Sequence, residues 1–210
     1  MNLKGMTVVA ATGNEHKLRE IKTITEAFGI KIISKEEAGA AGMDVEETGT
    51  TFEENSYIKA EAIRKATGIS AIADDSGLEV MALNGAPGVY SARFSGEDAT
   101  DESNNLKLLE LMNDVPDDQR QARFVSVITL CFENGDVLTA RGECPGRVLR
   151  QPAGTGGFGY DPLFLPDGCE ETFAQLSGEQ KNLISHRARA LSALGEQLAV
   201  YGNEEIKEQQ

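Results

Sequence analysis

Residues 6–34, MTVVAATGNEHKLREIKTITEAFGIKIIS, decide the fold of this chain. Met6–Ala11 is a short apolar run that is typical of a buried strand. The segment after it carries apolar residues at helical spacing: Leu18, Ile21, Ile24 and Phe28. Gly29 is placed to end this helix, and Lys31–Ser34 predicts a second strand. This order of strand, loop, helix and strand indicates an α/β protein.

The next segment continues the alternation of helices and strands. Residues 35–50 are acidic and glycine-rich, which predicts a loop. A capping-box pattern then opens a helix over about residues 51–67. We expect two strands to follow, Ser70–Ala73 and Leu78–Leu83, with a pair of aspartates at the end of the first.

Residues beyond 100 predict a helix, a hairpin and a broken C-terminal helix. The helix spans about Asp101–Asn113, and its predicted buried side chains are Leu106, Leu109 and Met112. Asn134-Gly135 joins two strand-like runs, which is a strong hairpin signal and makes the sheet mixed. The last helix is expected to break at Ser185, and the polar residues 203–210 are expected to form a frayed tail.

Length and charge limit what the chain can be. With 210 residues we expect a single domain over residues 1–202, drawn out into two lobes. Twenty Lys and Arg against 34 Asp and Glu give a formal net charge of −14. This argues against binding to duplex DNA or an anionic membrane, because both need a basic surface. Such a charge and the absence of a visible signal or long apolar segment favour a soluble, cytoplasmic protein.

The three cysteines, Cys131, Cys144 and Cys169, form no C-x-x-C motif. An odd number of thiols without metal spacing predicts reduced cysteines that pack as small buried hydrophobes.

The first candidate site is the loop Thr12–Lys17 between the first strand and its helix. Backbone N–H groups and the positive end of a helix dipole favour an anion there. Gly13 allows close approach, Asn14 offers a donor and Lys17 a cation. The loop lacks the P-loop pattern, and a plain turn with a surface lysine remains the alternative.

Two acidic segments form the next candidates. Asp74 and Asp75 follow an apolar run, and neighbouring strand residues point to opposite faces, so one carboxylate can reach a metal while the other pairs locally. A solvated acidic turn is the alternative. Glu46-Glu47-Thr48-Gly49 precedes Glu54, Asn55 and Lys59. Glu54 and Lys59 lie five apart and share no clean helical face. The alternative here is that Glu54 only caps the helix and that Lys59 is a surface residue.

The last candidates lie near the C-terminus. Residues 154–159 contain a formal G-x-G-x-x-G, but no helix follows, which excludes dinucleotide binding of the Rossmann type. Phe158 and Tyr160 could instead stack on a base, or plug the loop from below. A break at Ser185 would place His186 and Arg187 in a first helical turn, facing a ligand, although a structural histidine is the alternative. With two histidines and no G-x-S-x-G, neither a His-rich metal site nor a Ser-His-Asp triad is indicated.

Taken in order, these segments closely resemble the Ham1-like inosine triphosphate pyrophosphatase family. The resemblance runs from Thr12 to Arg187, and its motifs are the segments 12–17, 46–49, 51–55, 73–78, 85–94, 156–162 and 185–187. It implies an elongated α/β fold of two lobes around a long curved mixed sheet, with a cleft between the lobes and usually a homodimer. It also implies hydrolysis of non-standard purine nucleoside triphosphates (ITP, dITP, XTP) to monophosphate and pyrophosphate, with Mg²⁺ as cofactor.

The resemblance also implies roles for individual residues. The triphosphate would be cradled by Thr12, Gly13, Asn14, Glu15, His16 and Lys17. Mg²⁺ would be held by Glu46 and Asp75, with Asp75 also the catalytic base. The phosphates or ribose would be contacted by Lys59, Ser76 and Arg93. The nucleotide and base pocket would be lined by Phe158, Gly159, Tyr160, Asp161, Lys181, His186 and Arg187.

The net charge of −14 does not oppose binding of a substrate with about four negative charges, because salt screens distant charges and local ones decide. Donors from His186 and Arg187 would pair with a 6-oxo purine and clash with the 6-amino group of adenine. Two other functions stay open at this point: a related Maf-type nucleotide pyrophosphatase, and a nucleotide sensor without turnover.

Overall fold

The structure is a computed structural model that describes residues 5–26 and 29–208. Phe28, expected on the buried face of the first helix, lies outside the described residues. The strands are β1 (Thr7–Ala10), β2 (Lys31–Ile33), β3 (Ala71–Val80), β4 (Gln121–Cys131), β5 (Val137–Val148) and β6 (Phe164–Pro166). The helices are α1 (Glu15–Thr25), α2 (Phe52–Thr67), α3 (Asp101–Leu111), α4 (Gly178–Ile184) and α5 (His186–Glu208).

The six strands form one mixed sheet in the order β2-β1-β3-β4-β5-β6. Strand β1 pairs in parallel with β2 and with β3, and β5 pairs antiparallel with β6. Strands β4 and β5 are joined through the predicted Asn134-Gly135 turn, where Gly135 takes a φ of 96°. The predicted α/β fold with a mixed sheet and flanking helices is therefore confirmed.

Helix α2 begins and ends as its sequence predicts. The Thr51 hydroxyl accepts the Glu54 N–H, and the Glu54 carboxylate accepts the Thr51 N–H in return, which completes the capping box. Gly68 ends the helix with a φ of 69°, a conformation that glycine adopts at little cost. Both ends of α2 are therefore fixed by local chemistry alone.

The prediction of two strands around the aspartate pair is wrong. Strand β3 runs without a break from Ala71 to Val80, so Asp74 and Asp75 lie inside a strand and not after one. Both are buried, with 2% and 5% of their surface exposed. A strand can hold two buried carboxylates only if other groups compensate their charge, and the partners of this pair come from distant parts of the sequence.

The predicted burial of Leu106 in α3 is also wrong. Leu106 is 61% exposed, whereas Leu108 is fully buried. Asn104, Leu108 and Met112 are spaced by four and lie on the buried face. Leu106 is two residues from both Asn104 and Leu108, which turns it to the opposite side of the helix.

The predicted break at Ser185 is confirmed. Ser177 and Gln180 form a capping box at the start of α4, and Ser185 has extended backbone angles between α4 and α5. Helix α5 continues to Glu208, past the residue at which we expected a frayed tail to begin. The side chains buried along it include Leu191, Leu194 and Leu198, as predicted.

The chain divides into two compact units. Unit 1 contains Met1–Asp75, Ser126–Gly142 and Arg187–Gln210, and unit 2 contains Ser76–Val125 and Glu143–His186. Each has a hydrophobic core of its own, built around Val8, Ile72 and Ile128 in unit 1 and around Leu108, Phe164 and Phe173 in unit 2. The expectation of one domain with two lobes is not decided by this division and stays a prediction.

Cys131 and Cys144 are buried free thiols, as the sequence predicts, whereas the free thiol Cys169 is only half-buried. Burial raises the pKa of Cys131 to about 11, which makes its thiol unreactive. Across residues 5–26 and 29–208, no helix is both long enough and apolar enough to cross a membrane.

Candidate active site

The Thr12–Lys17 loop connects β1 to α1, and Asn14 caps the helix. The Asn14 side-chain oxygen accepts the N–H groups of His16 and Lys17 at 2.9 and 3.1 Å. The Thr12 hydroxyl accepts the Asn14 N–H at 3.1 Å. From its residue type we expected Asn14 to offer a donor, whereas in the structure its side-chain oxygen accepts two N–H groups and organises the loop. This capping fixes the backbone at the point where we expect phosphates to bind.

Asp74 is the centre of a buried ionic network in unit 1. Its carboxylate lies 2.9 Å from the Lys17 ammonium and accepts a 3.0 Å hydrogen bond from the Arg187 guanidinium. The Ser126 hydroxyl also donates to it, and Arg187 in turn pairs with Glu20. Burial alone would raise the pKa of Asp74, but the charges of Arg187 and Lys17 outweigh burial and hold this pKa well below its usual range.

Asp75 has a different set of partners. The Lys59 ammonium donates to Asp75 Oδ1 at 2.8 Å and to Glu47 Oε1 at 2.6 Å, so it bridges the two carboxylates. The other oxygen, Asp75 Oδ2, is buried and accepts no hydrogen bond from the described residues. Burial raises the pKa of Asp75 despite the nearby Lys59 and Lys17, while the two carboxylates raise the pKa of Lys59 against its own burial.

The acidic turn Glu46–Gly49 is held by the first turn of α2. Gly49 N–H donates to Asn55 Oδ1 at 2.8 Å, and a Cβ on Gly49 would stand 2.6 Å from that same oxygen. Asn55 is fully buried and lies four residues before Lys59, hence on the same helical face. The turn and the lysine are therefore set by one helix, and this places Glu47 beside Lys59.

Glu46 and Glu54 take other positions. The Glu46 side chain is exposed and makes no hydrogen bond or ion pair with the part of the chain that the structure describes. Its role as a metal ligand stays a prediction. Glu54 accepts the N–H groups of Thr50 and Thr51, as the capping alternative predicts, and these hydrogen bonds lower its pKa.

Asp75 and Glu47 fit a hard divalent cation. Asp75 Oδ2 is a buried acceptor that no described residue donates to, and Glu47 shares the ammonium that binds Asp75 Oδ1. Within the described ranges no group of three or more His, Cys, Asp or Glu side chains could enclose a metal. This suits Mg²⁺, which is usually bound by one or two carboxylates and completes its shell with water and substrate phosphates.

Unit 2 contains a second buried ion pair. The Lys181 ammonium donates to Asp161 Oδ2 at 2.6 Å, and both residues are almost fully buried. The same oxygen accepts the Phe158 N–H at 2.9 Å, and the ammonium lies 4.7 Å from the centre of the Phe158 ring. Asp161 and Lys181 thus hold the glycine-rich loop and orient the half-buried Phe158.

Gly159 and Tyr160 are fixed by α3 and its preceding segment. Asp101 accepts the Gly159 N–H at 2.6 Å, and Asn105 donates to the Gly159 carbonyl at 2.8 Å. The Tyr160 hydroxyl donates to the Ser91 carbonyl at 2.9 Å, and the ring is 3% exposed. Tyr160 therefore plugs the loop from below, which was the second of its two predicted roles. The Phe158 ring is the more accessible of the two rings.

Three other predicted site residues of unit 2, His186, Arg93 and Ser76, each lie in a different environment. The His186 ring is buried and stacks on Phe124, with ring centres 4.7 Å apart and planes 11° apart. Arg93 is exposed and lies over the Tyr90 ring, 5.2 Å from its centre. Ser76 is half-buried, directly after Asp75 in β3.

Several members of these networks are absent from the residues predicted by sequence. Glu20 could have been found, since it follows Lys17 by three positions in α1 and shares its face. Asn55 was named with the acidic segments, but the hydrogen bond that it accepts from the Gly49 N–H was not predicted. Ser126 has no local signal, because only the pairing of distant strands brings it to Asp74.

Known proteins resemble this chain over most of its length. The model of the Ham1 family matches residues 8–197. The chain belongs to the Ham1 family. It is 52% identical over 189 residues to a dITP/XTP pyrophosphatase of Shigella flexneri, which covers 89% of this chain and 95% of that protein.

Solved Ham1 structures share this fold. The Ham1 protein of Staphylococcus aureus is 42% identical with a TM-score of 0.82, covering 93% of this chain and 99% of that one. A HAM1 protein from Coxiella burnetii is 42% identical with a TM-score of 0.83, covering 92% and 98% of the two chains. This Ham1 chain therefore has the family fold over nearly its full length.

Proposed function

We propose that this Ham1 protein is a nucleoside triphosphate pyrophosphatase that hydrolyses non-standard purine nucleotides such as dITP and XTP. The reaction releases the nucleoside monophosphate and pyrophosphate, and so keeps these nucleotides out of DNA and RNA. The observation that carries the proposal is the 52% identity to a dITP/XTP pyrophosphatase, over 89% of this chain and 95% of that protein. The arrangement around Asp75 supports the same reaction class.

Asp75 is the proposed catalytic base. Its Oδ2 is buried without a donor, and its raised pKa makes it a better proton acceptor than an ordinary carboxylate. Lys59 holds Oδ1 at 2.8 Å and thereby fixes the direction in which Oδ2 points. The base takes a proton from the water that attacks the α-phosphorus, and pyrophosphate leaves.

Asp75 and Glu47, with Glu46 as a third carboxylate implied by the family resemblance, are the residues that would hold Mg²⁺. A bound divalent cation polarises a phosphoryl oxygen and offsets the charge that develops on it. The Thr12–Lys17 loop binds the phosphates, and Lys17 is kept in place by Asp74 at 2.9 Å. Ser76 and Arg93 are assigned to the phosphates or ribose.

The purine base is assigned to Phe158 and His186. Phe158 offers a partly accessible ring that Lys181 and Asp161 orient. His186 is held by stacking on Phe124 and offers a donor to a 6-oxo group. An adenine amino group facing that donor would leave polar groups unpaired, at a cost of about 1–3 kcal/mol each.

The products test this function. The purified protein is incubated with Mg²⁺ and ITP, dITP, XTP, GTP, ATP or dTTP, and pyrophosphate is resolved from orthophosphate. We expect pyrophosphate and monophosphate from the non-standard purines alone, and loss of turnover when EDTA removes the cation. Release of orthophosphate, or equal use of ATP, would contradict the proposal.

Two further properties belong to the proposal. We expect a homodimer, which sedimentation equilibrium can measure, and a cytoplasmic location, where nucleoside triphosphates are made and used. The half-exposed Tyr90 ring, with 55% of its surface accessible, makes the Val89–Tyr90 segment a candidate dimer contact.

A further inference from the structure

The cations of unit 1 that are assigned to the nucleotide are already neutralised by carboxylates. Lys17 pairs with Asp74, and Lys59 pairs with both Asp75 and Glu47. Arg187 pairs with Asp74 and Glu20. Three cations face four carboxylates, so this cluster carries one net negative charge before any ligand binds. It is a poor receptor for a polyphosphate unless other positive charge lies close by.

Lys35 supplies such a charge beside the phosphate loop. It lies two residues after the end of β2, and its ammonium lies 4.0 Å from the point that a Cβ would occupy on Gly13. Because Gly13 has no side chain, the space between its backbone and this ammonium stays open. Lys35 was not singled out by the sequence, since it lies eighteen residues beyond Lys17 and only the parallel pairing of β1 with β2 brings it near.

The partners of Lys35 differ in kind from those of the other cations. Its ammonium donates to the Met43 carbonyl at 2.7 Å, which is a neutral acceptor. Glu36, next to it in sequence, senses its charge but forms no ion pair with it among the described residues. One donor is used to hold the side chain and two remain, and no carboxylate among the described residues forms an ion pair with this ammonium.

We propose that Lys35 is a further substrate-binding residue, which contacts the phosphate groups held by the Thr12–Lys17 loop. The inference rests on the proposed function, because it assigns this loop to a polyphosphate. Its Met43 hydrogen bond preorganises the ammonium, so little side-chain entropy is lost on binding. The ligand it recognises is the phosphate chain and not the base, so it should strengthen binding of every nucleoside triphosphate and of pyrophosphate alike.

Three variants test the inference. Lys35→Gln removes the charge and keeps a donor for the Met43 carbonyl, whereas Lys35→Arg keeps the charge. Lys31→Gln is the matched control, since it removes an exposed lysine from β2 four residues earlier. We measure KM and kcat for ITP at low and high salt, and the dissociation constant of inorganic pyrophosphate by calorimetry.

We expect Lys35→Gln to weaken ITP and pyrophosphate about fivefold, with kcat nearly unchanged, since one partly screened charge contributes about 1 kcal/mol. The difference should shrink at high salt. Lys35→Arg and Lys31→Gln should behave like the wild type.

Equal affinities for Lys35→Gln and Lys31→Gln would overturn the inference, and so would a loss in kcat alone. The pyrophosphate titration separates this result from the fate of the proposed function. A wild type that releases no pyrophosphate from ITP contradicts the function, whereas a wild type that releases it while Lys35→Gln binds pyrophosphate normally contradicts only the role of Lys35.

Discussion

Asp74 and Asp75 are neighbours in one strand, yet their surroundings differ completely. Asp74 is surrounded by donors: Lys17, Arg187 and the Ser126 hydroxyl all meet its carboxylate. Asp75 meets one ammonium, which it shares with Glu47, and keeps an oxygen without a donor. The pKa of Asp74 is held well below its usual range, and that of Asp75 is raised.

The difference shows how one strand can give two neighbouring carboxylates separate roles, one structural and one chemical. Adjacent side chains point to opposite faces, so each carboxylate meets a different set of residues. Asp74 is fully compensated and can hold Lys17 and Arg187 but cannot readily take a proton. Asp75 is under-compensated, which leaves it able to accept a proton or bind a cation. The following substitutions test this division.

Asp74→Ala should give the largest loss of stability. It leaves the buried Arg187 without its main partner, and breaking a buried pair costs about 3–5 kcal/mol in the free energy of unfolding. Urea denaturation followed by circular dichroism measures this loss. A double variant, Asp74→Leu with Arg187→Met, should recover much of it, because the uncompensated charge is gone. A single variant as stable as the wild type would contradict the role assigned to Asp74.

Asp75→Asn should separate activity from stability. We expect turnover of ITP to fall about 100-fold or more, since a general base contributes at least that factor. Stability should be nearly unchanged, because the raised pKa shows that the charged form is not favoured by folding. Initial rates and the urea midpoint are measured on the same sample. Full turnover with Asn at this position would exclude Asp75 as the base.

Gly49→Ala should disturb the Asp75 side while it spares the Asp74 side. A Cβ would stand 2.6 Å from Asn55 Oδ1 and must push the acidic turn away from α2, at a cost of about 1–3 kcal/mol. We expect a several-fold loss of kcat with ITP. Gly178→Ala is the control, because a Cβ there meets nothing within 4 Å. Equal rates for both variants would show that the turn does not position Glu47.

Glu61→Gln gives a reference value for the stability lost when a paired carboxylate near the surface is removed. Glu61 pairs with Arg64 and Lys65 on α2, and these partners lower its pKa from 4.5 to about 2. A lowered folded pKa contributes stability above the unfolded value that is lost as the pH falls toward 2. Solvent screening limits the loss in Glu61→Gln to about 0.5 kcal/mol at pH 7.

Urea unfolding of Glu61→Gln and wild type at pH 7 and again near pH 2 measures this contribution. The difference between the two proteins should shrink at the lower pH, because Glu61 is then partly protonated in the folded state. A loss comparable to that of Asp74→Ala would mean that burial is not what makes the Asp74 network costly to break.

Much of the fold could be read from local sequence. The capping box at Thr51, the hairpin at Asn134-Gly135 and the break at Ser185 all appear where predicted, because each depends on residues a few positions apart. The predictions that proved wrong, the division of β3 and the burial of Leu106, depended on what packs against each segment. No pattern of neighbouring residues contains that information.

The candidate site divides in the same way, into features set by local sequence and features set by contacts between distant segments. The sequence by itself determined the family, and it picked out the Thr12–Lys17 loop, the aspartate pair and the lysines around them as candidates, since order and spacing are properties of the chain. Only the tertiary structure decided which charge meets which: Asp74 with Arg187 across 113 positions, Lys59 with Asp75 and Glu47, and Lys35 beside Gly13. Electrostatic energy depends on distance in space, and a distance in space between segments remote in sequence is fixed only by folding.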